Sequence, residues 1–205
     1  MALLWIFGYF VLQIFLKNRW PNGVIPYKLH KSFDDEKRNN IERIFNEFNT
    51  LMEGCVKVRW VFLKNIKRTK LSLILNANNI FWIYRPYTDS DKSFTLIEYV
   101  KGTSSSAILG YWEKNHYMVY HDLQSAWVVL HELLHAFGIG HTQMRPDRDD
   151  YVTINWDNIR KSSHSQYRKM ASVAPYGIPY DGRSIMHYKK DAFWKPVRIV
   201  IHCIT

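Results

Sequence analysis

Apolar residues recur at helical spacing at Ile41, Ile44, Phe45, Phe48, Leu51 and Met52. That spacing lines one face of a helix and predicts an amphipathic helix of about four turns. Ser32 with Asp35 reads as a capping box at its start, and Asp34, Asp35 and Glu36 suit the positive end of a helix dipole. Gly54 is expected to end it. From there the period changes to two. Val56, Val58, Trp60 and Phe62 alternate with basic or smaller residues, which predicts a strand with one buried face. Leu71 to Leu75, Phe81 to Tyr84 and Phe94 to Val100 are further short strand candidates, followed by a Gly102 to Ser106 loop and a last apolar run from Ala107 to Trp112. Ahead of the helix, Trp20 to Leu29 reads as a Pro-Asn-Gly turn entering a first strand, which Pro26 places near a sheet edge. A second helical stretch begins near Gln124. Beyond it the pattern loosens: a charged turn at Arg145 to Asp150, a strand passing into a turn or short helix over Tyr151 to Arg160, a polar irregular stretch to Ala174, and a Pro/Gly/Tyr-rich loop to Arg183. The pattern is α+β, with strands and one amphipathic helix before the second helix and more irregular chain after it.

Two features change this picture. Ala2 to Leu16 is apolar except for Gln13, and Lys17 and Arg19 follow it. The run is shorter than the roughly 20 residues of a bilayer span, and its length suits the core of a signal peptide. Residues 1–19 are therefore read as a hydrophobic leader and junction, with a short signal anchor as the alternative, and the folded domain is expected over residues 20–205. The expected location is secreted, with membrane attachment only if the leader stays uncleaved. The second feature is charge. Lys+Arg 28 against Asp+Glu 18 gives a net charge of +10, which favours acidic substrates or anionic surfaces. No dense basic block and no base-reading motif accompanies it, so nucleic acid is not an expected partner. Two cysteines, Cys55 and Cys203, are too few for a disulfide framework.

The chemistry sits in the second helix. His131 to His141 reads HELLHAFGIGH and fits the extended zinc-peptidase pattern H-E-x-x-H-x-x-G-x-x-H without a mismatch. Residues i and i+4 share a helix face, so His131 and His135 can offer two imidazoles to one ion. Glu132 lies beside the first of them, placed to reach a metal-bound water. Gly138 is the natural stop, because a residue without Cβ takes a left-handed backbone freely. The chain then doubles back and His141 arrives as a third ligand. Three neutral imidazoles leave one coordination position open, which suits a catalytic zinc rather than a closed structural one, with one ion per chain. HExxH alone is a weak signal; the breaker glycine and the third histidine at fixed offsets remove most chance matches. Downstream, Ser184 to Tyr188 reads SIMHY and falls where zinc peptidases of the metzincin type carry their Met-turn, with Met186 as the methionine. His187 is read as structural or solvent-facing, because three histidines already satisfy the pattern.

GVIPY at Gly23 to Tyr27, HELLHAFGIGH, RPDRDDYVTINWDNI at Arg145 to Ile159, YGIPYD at Tyr176 to Asp181 and SIMHY follow one another in the order of the astacin family. The sequence resembles that family from about Trp20 to Phe193. The resemblance implies a two-lobed metzincin-like fold: a twisted N-terminal sheet with helices, a more irregular C-terminal lobe, and the active-site helix between them. It implies a zinc endopeptidase acting on protein or peptide substrates. His131, His135 and His141 would be the zinc ligands, and Tyr188 an additional, displaceable one. Glu132 would activate the zinc-bound water, and zinc with Tyr188 would stabilise the oxyanion. Nothing in the resemblance fixes an oligomeric state.

The departures are specific. Where the family has a glutamate after the third histidine, which helps anchor the mature N-terminus, this sequence has Thr142. A cysteine pair of the N-terminal lobe is replaced by apolar residues around Phe81 and Met118. Cys55 matches the family's cysteine after the first long helix, whose partner lies near the C-terminus; Cys203 is a candidate substitute for that partner, outside the family's register. The sequence also ends nearer to Tyr188 than the family's domains do, so the C-terminal part is expected to be incomplete. These losses keep a second reading open, a secreted zinc-binding or interaction protein that has lost efficient peptidase activity.

Overall fold

A computed structural model describes residues 20–21, 24–63, 83–102, 104–112, 116–120, 125–171, 173, 179–193 and 201–203, without the side chains of 51–63, 83–84 and 202–203. The leader and the Leu71 to Leu75 strand candidate fall outside this set. The chain divides at Gly138 into a unit of Leu16–Gly138 and one that includes Ile139–Thr205.

The first unit is built on a five-stranded sheet. Its strands are β1 (Val24–Leu29), β2 (Ile83–Pro86), β3 (Thr95–Tyr99), β4 (Ser106–Ala107) and β5 (His116–Tyr120), in the order β2-β1-β3-β5-β4. All neighbours run parallel except β4, which lies antiparallel along β5. Ile25, Pro26 and Tyr27 of β1 are buried in succession, as a strand covered on both faces requires. β1 is not an edge strand, contrary to the expectation from Pro26. Tyr87 N–H donates to the Tyr27 carbonyl and His30 N–H to the Ile97 carbonyl, so odd positions of β1 bond β2 and even positions bond β3. The missing N–H of Pro26 therefore faces β3, one residue before that ladder begins at the Tyr27–Thr95 pair. β5, which the sequence reading did not single out, alternates as a half-buried strand should: His116, Met118 and Tyr120 are buried, and Tyr117 is exposed.

Helix α1 (Asp35–Leu63) runs for 29 residues. Ile41, Ile44, Phe45 and Phe48 bury the predicted stripe, with the Phe45 ring edge-on to Tyr27 at 4.9 Å. Two details differ from the sequence reading. The cap is Asp34, whose carboxylate accepts the Lys37 N–H at 2.8 Å. Ser32 instead accepts the Tyr99 N–H from β3. The backbone also stays helical through Gly54 and the alternating Val56–Phe62 run. An interior glycine weakens a helix by only about 1 kcal/mol relative to alanine, and no proline follows to break it. Helix α2 (Ala126–Ala136) completes this core with Val129, Leu130, Leu133 and Leu134, and Phe137 just past its end stacks on Phe48 at 5.7 Å. Among the described residues no helix is long and apolar enough to cross a membrane.

The second unit is the irregular part. It holds short 3-10 turns at Thr142–Met144, Arg148–Asp150, Trp156–Asn158 and Lys161–Tyr167, and a two-stranded antiparallel sheet of β6 (Val152–Ile154) and β7 (Ile201–Cys203). Its small core is Val152, Ile154, Ile159, Tyr167 and Ile201, with Tyr180 and Tyr188 packed against it. The Arg145 to Asp150 turn carries the expected internal ion pairs, but both arginines are buried. Arg145 makes two bonds to Asp147, at 2.8 and 2.6 Å, and a third to the Pro179 carbonyl. Arg148 reaches the carbonyls of Gln143 and Tyr167. Buried guanidiniums of this kind tie loops together where regular ladders are short. Cys55 lies in α1 and Cys203 in β7, and their side chains are outside the described set.

Candidate metal centre

Helix α2 reads AWVVLHELLHA, and every residue from Val129 to Ala136 except His131 is buried. Its N-cap, Ser125, makes no side-chain capping bond, so packing and not capping holds the helix. The C-terminal end is secured by hydrogen bonds. The His135 carbonyl accepts the N–H of Gly138 at 2.8 Å and of Gly110 at 2.9 Å. The Ala136 carbonyl accepts the indole N–H of Trp20 at 2.9 Å. Trp20 is itself buried against Tyr111 and His116. Gly138 has φ 95°, the left-handed backbone expected where the helix stops.

On this helix the rings of His131 and His135 meet edge to face, with centroids 4.6 Å apart. Glu132 is only 5% exposed, and its Oε2 has no hydrogen-bond partner among the described residues. Burial pushes its carboxyl up to about 7. An orphaned buried acceptor beside two imidazoles of one helix face fits a site made for a zinc ion and a water.

The second unit gathers the other predicted residues. His141 is half-buried, and its ring lies 4.5 Å from that of Tyr188. Thr142 N–H donates to the Met186 carbonyl at 2.9 Å, and the Thr142 hydroxyl to Ser184 Oγ at 3.2 Å. Ser184 Oγ also accepts the Met186 N–H, closing the SIMHY turn over a fully buried Met186 side chain. Thr142, the departure from the family pattern, is thus a bracket for that turn. His187 is structural, as expected: Nε2 meets the Tyr180 hydroxyl at 2.7 Å and Nδ1 the Tyr188 carbonyl at 2.7 Å. A carbonyl only accepts, so Nδ1 carries the proton and Nε2 accepts from the tyrosine. Burial holds the His187 pKa below its ordinary value, consistent with that neutral ring.

The structure adds residues that the sequence did not point to. Gln143 is fully buried, and its Oε1 accepts the Tyr188 N–H at 3.1 Å. Gln166 Oε1 accepts the Tyr188 hydroxyl at 3.1 Å. Both lie in polar stretches with no period or motif, so no sequence signal marked them. Trp20 was legible only as part of a turn.

The α+β fold and the histidine pattern define the class, a metzincin-like zinc-peptidase domain. Residues 83–201 match the family profile "Astacin", a peptidase family, and the chain belongs to the astacin family. Zinc metalloproteinase nas-14 of Caenorhabditis elegans is 29% identical over 178 residues, covering 85% of this chain and 30% of that protein. Zinc metalloproteinase dpy-31 of the same species is 51% identical over 70 residues, 33% of this chain and 12% of that protein. The chain thus spans less than a third of the length of either relative. Among solved structures, high choriolytic enzyme 1, a hatching enzyme zinc-protease from Oryzias latipes, superposes with a TM-score of 0.66 at 27% identity, covering 91% of this chain and 80% of that one. Myroilysin shares the fold, with a TM-score of 0.54 at 18% identity, over 91% of this chain and 88% of its own.

Proposed function

We propose that residues 20–205 are a secreted zinc-dependent endopeptidase domain cleaving protein or peptide substrates, with residues 1–19 as its leader. His131, His135 and His141 hold the ion, and Tyr188 is a displaceable fourth ligand. His141 follows Gly138 by three residues, so the chain itself keeps it within about 11 Å of the helix end. When bound, zinc supplies a Lewis acid that makes a coordinated water acidic near neutral pH and polarises a carbonyl. Glu132 would serve as the proton acceptor for a water at the site and as the donor to the leaving nitrogen. The Tyr188 hydroxyl donates a hydrogen bond to the oxygen on which charge develops. The observation that carries this reading is the partnerless, buried Glu132 Oε2 beside the paired rings of His131 and His135. A base that must receive a proton from water has to keep an acceptor free of protein donors.

The test is a peptide-library digest by the purified protein, with and without a chelator. Chelator-sensitive internal cleavage, restored by zinc, is the expected result. Stoichiometric zinc with no cleavage would instead support a secreted zinc-binding or interaction protein. The net charge of +10 favours acidic residues near the cleaved bond, which the same digest reads.

A further inference from the structure

Tyr188 is held at three points by this chain's own side chains. Gln143 Oε1 accepts its N–H and His187 Nδ1 donates to its carbonyl, so its backbone is fixed on both sides. Its hydroxyl ends on Gln166 Oε1. The ring between these points lies against His141, Phe193 and Tyr167, with centroids at 4.5, 5.3 and 5.6 Å. Phe193 has φ 59°, a left-handed conformation that is strained for a residue with a Cβ. Gln166 is exposed, but its neighbour Tyr167 is fully buried and bonds the Ala192 carbonyl at 2.6 Å, so the Lys161–Tyr167 turn has a fixed seat.

We propose that Gln166 is the resting-state acceptor of the Tyr188 hydroxyl and a positioning residue that sets how often this tyrosine occupies the metal. The inference rests on the endopeptidase reading above and deepens it. A tyrosine bound to a metal as phenolate would have no proton left to donate to Gln166, so amide and metal would compete for one group. With the Tyr188 backbone held on both sides, the competition is settled by side-chain rotation alone. An exposed, neutral amide is a weak acceptor, and it lets go easily. A carboxylate in its place would hold the phenol harder.

The copper(II)-loaded protein reads this directly, through the phenolate-to-copper charge-transfer absorption that a bound tyrosine produces. Gln166→Leu strengthens that band and raises KM about 2- to 10-fold, the range for one lost hydrogen bond, with kcat little changed. Gln166→Glu moves the band the other way: it weakens, and kcat falls because the hydroxyl is withheld from the oxyanion. In a Tyr188→Phe background neither change at Gln166 has a further effect. An unchanged or absent band in Gln166→Leu overturns the proposal, and so do effects of Gln166→Leu that persist without the tyrosine hydroxyl. If the wild-type protein cleaves nothing, the endopeptidase reading fails while the copper band still decides the role of Gln166.

Discussion

At the scale of single residues, the site divides into groups that do chemistry and groups that aim them. Among the described residues, Glu132 Oε2 is the buried side-chain acceptor of α2 that has no donor, and that makes Glu132 the residue whose loss is most selective. Glu132→Gln is expected to keep stoichiometric zinc, read by metal analysis, while kcat falls by about 10²- to 10⁴-fold, the usual contribution of a positioned base. Tyr188→Phe, assayed alongside, removes the proposed oxyanion donor and leaves the proposed base, so its loss is expected to be the smaller of the two. The residues proposed as metal ligands and base stood out in the sequence because their order follows helix geometry: one i, i+4 pair, one neighbour, one glycine. Gln143 and Gln166 were not. A side chain that acts from a 3-10 turn onto a residue distant in sequence leaves no periodic trace.

At the scale of elements, the end of α2 matters more than its start. A helix with no side-chain cap at Ser125 and a left-handed glycine at 138 is defined by where it stops. Gly138→Ala forces a Cβ into a backbone that L-residues avoid, and is expected to lower unfolding free energy by about 1–3 kcal/mol in urea titration. Zinc affinity should weaken with it, because the turn that begins there leads to His141. The first helix shows where pattern reading misleads. Val56, Val58, Trp60 and Phe62 alternate as a strand would, yet the backbone there is helical, because period two over a short run does not outweigh a helix already propagating into it. Pro26 misled in the same way. The proline rule concerns a missing N–H, and β1 turns that N–H to a side where no neighbour has yet begun. β5 was missed although His116, Met118 and Tyr120 alternate cleanly, because two of the three buried residues are polar or amphipathic by type.

At the scale of the whole molecule, the α+β class, the strand-rich first part and the irregular second part were all readable, since local patterning dictates them. Strand order was not, because parallel pairing joins segments that are far apart in sequence. Titratable groups at both ends of the pH scale bound the stability of the fold. The hydrogen bond from Arg145 holds the Asp147 carboxyl below its ordinary value. A lowered carboxylate stabilises the fold above the usual carboxylate range, and that contribution is lost as pH falls through the folded value. Burial raises Tyr27 to about 12. The unfolded tyrosine ionises from about pH 10 while the folded one resists, so stability falls between pH 10 and 12, by up to about 3 kcal/mol. Chemical denaturation across pH is expected to show a plateau with both limbs; Tyr27→Phe should make the alkaline one shallower, the remainder coming from Tyr167, whose pKa burial also raises.

The Trp20 indole has a consequence for any variant shortened from its first residue. It donates to the carbonyl of Ala136, the residue after His135, from the first described residue of the chain. A truncation that keeps Trp20 preserves this bond, whereas one that removes it strips the Ala136 carbonyl of its indole partner at the end of α2. Zinc titration of truncations on either side of Trp20 is expected to show the affinity falling only once the indole is lost.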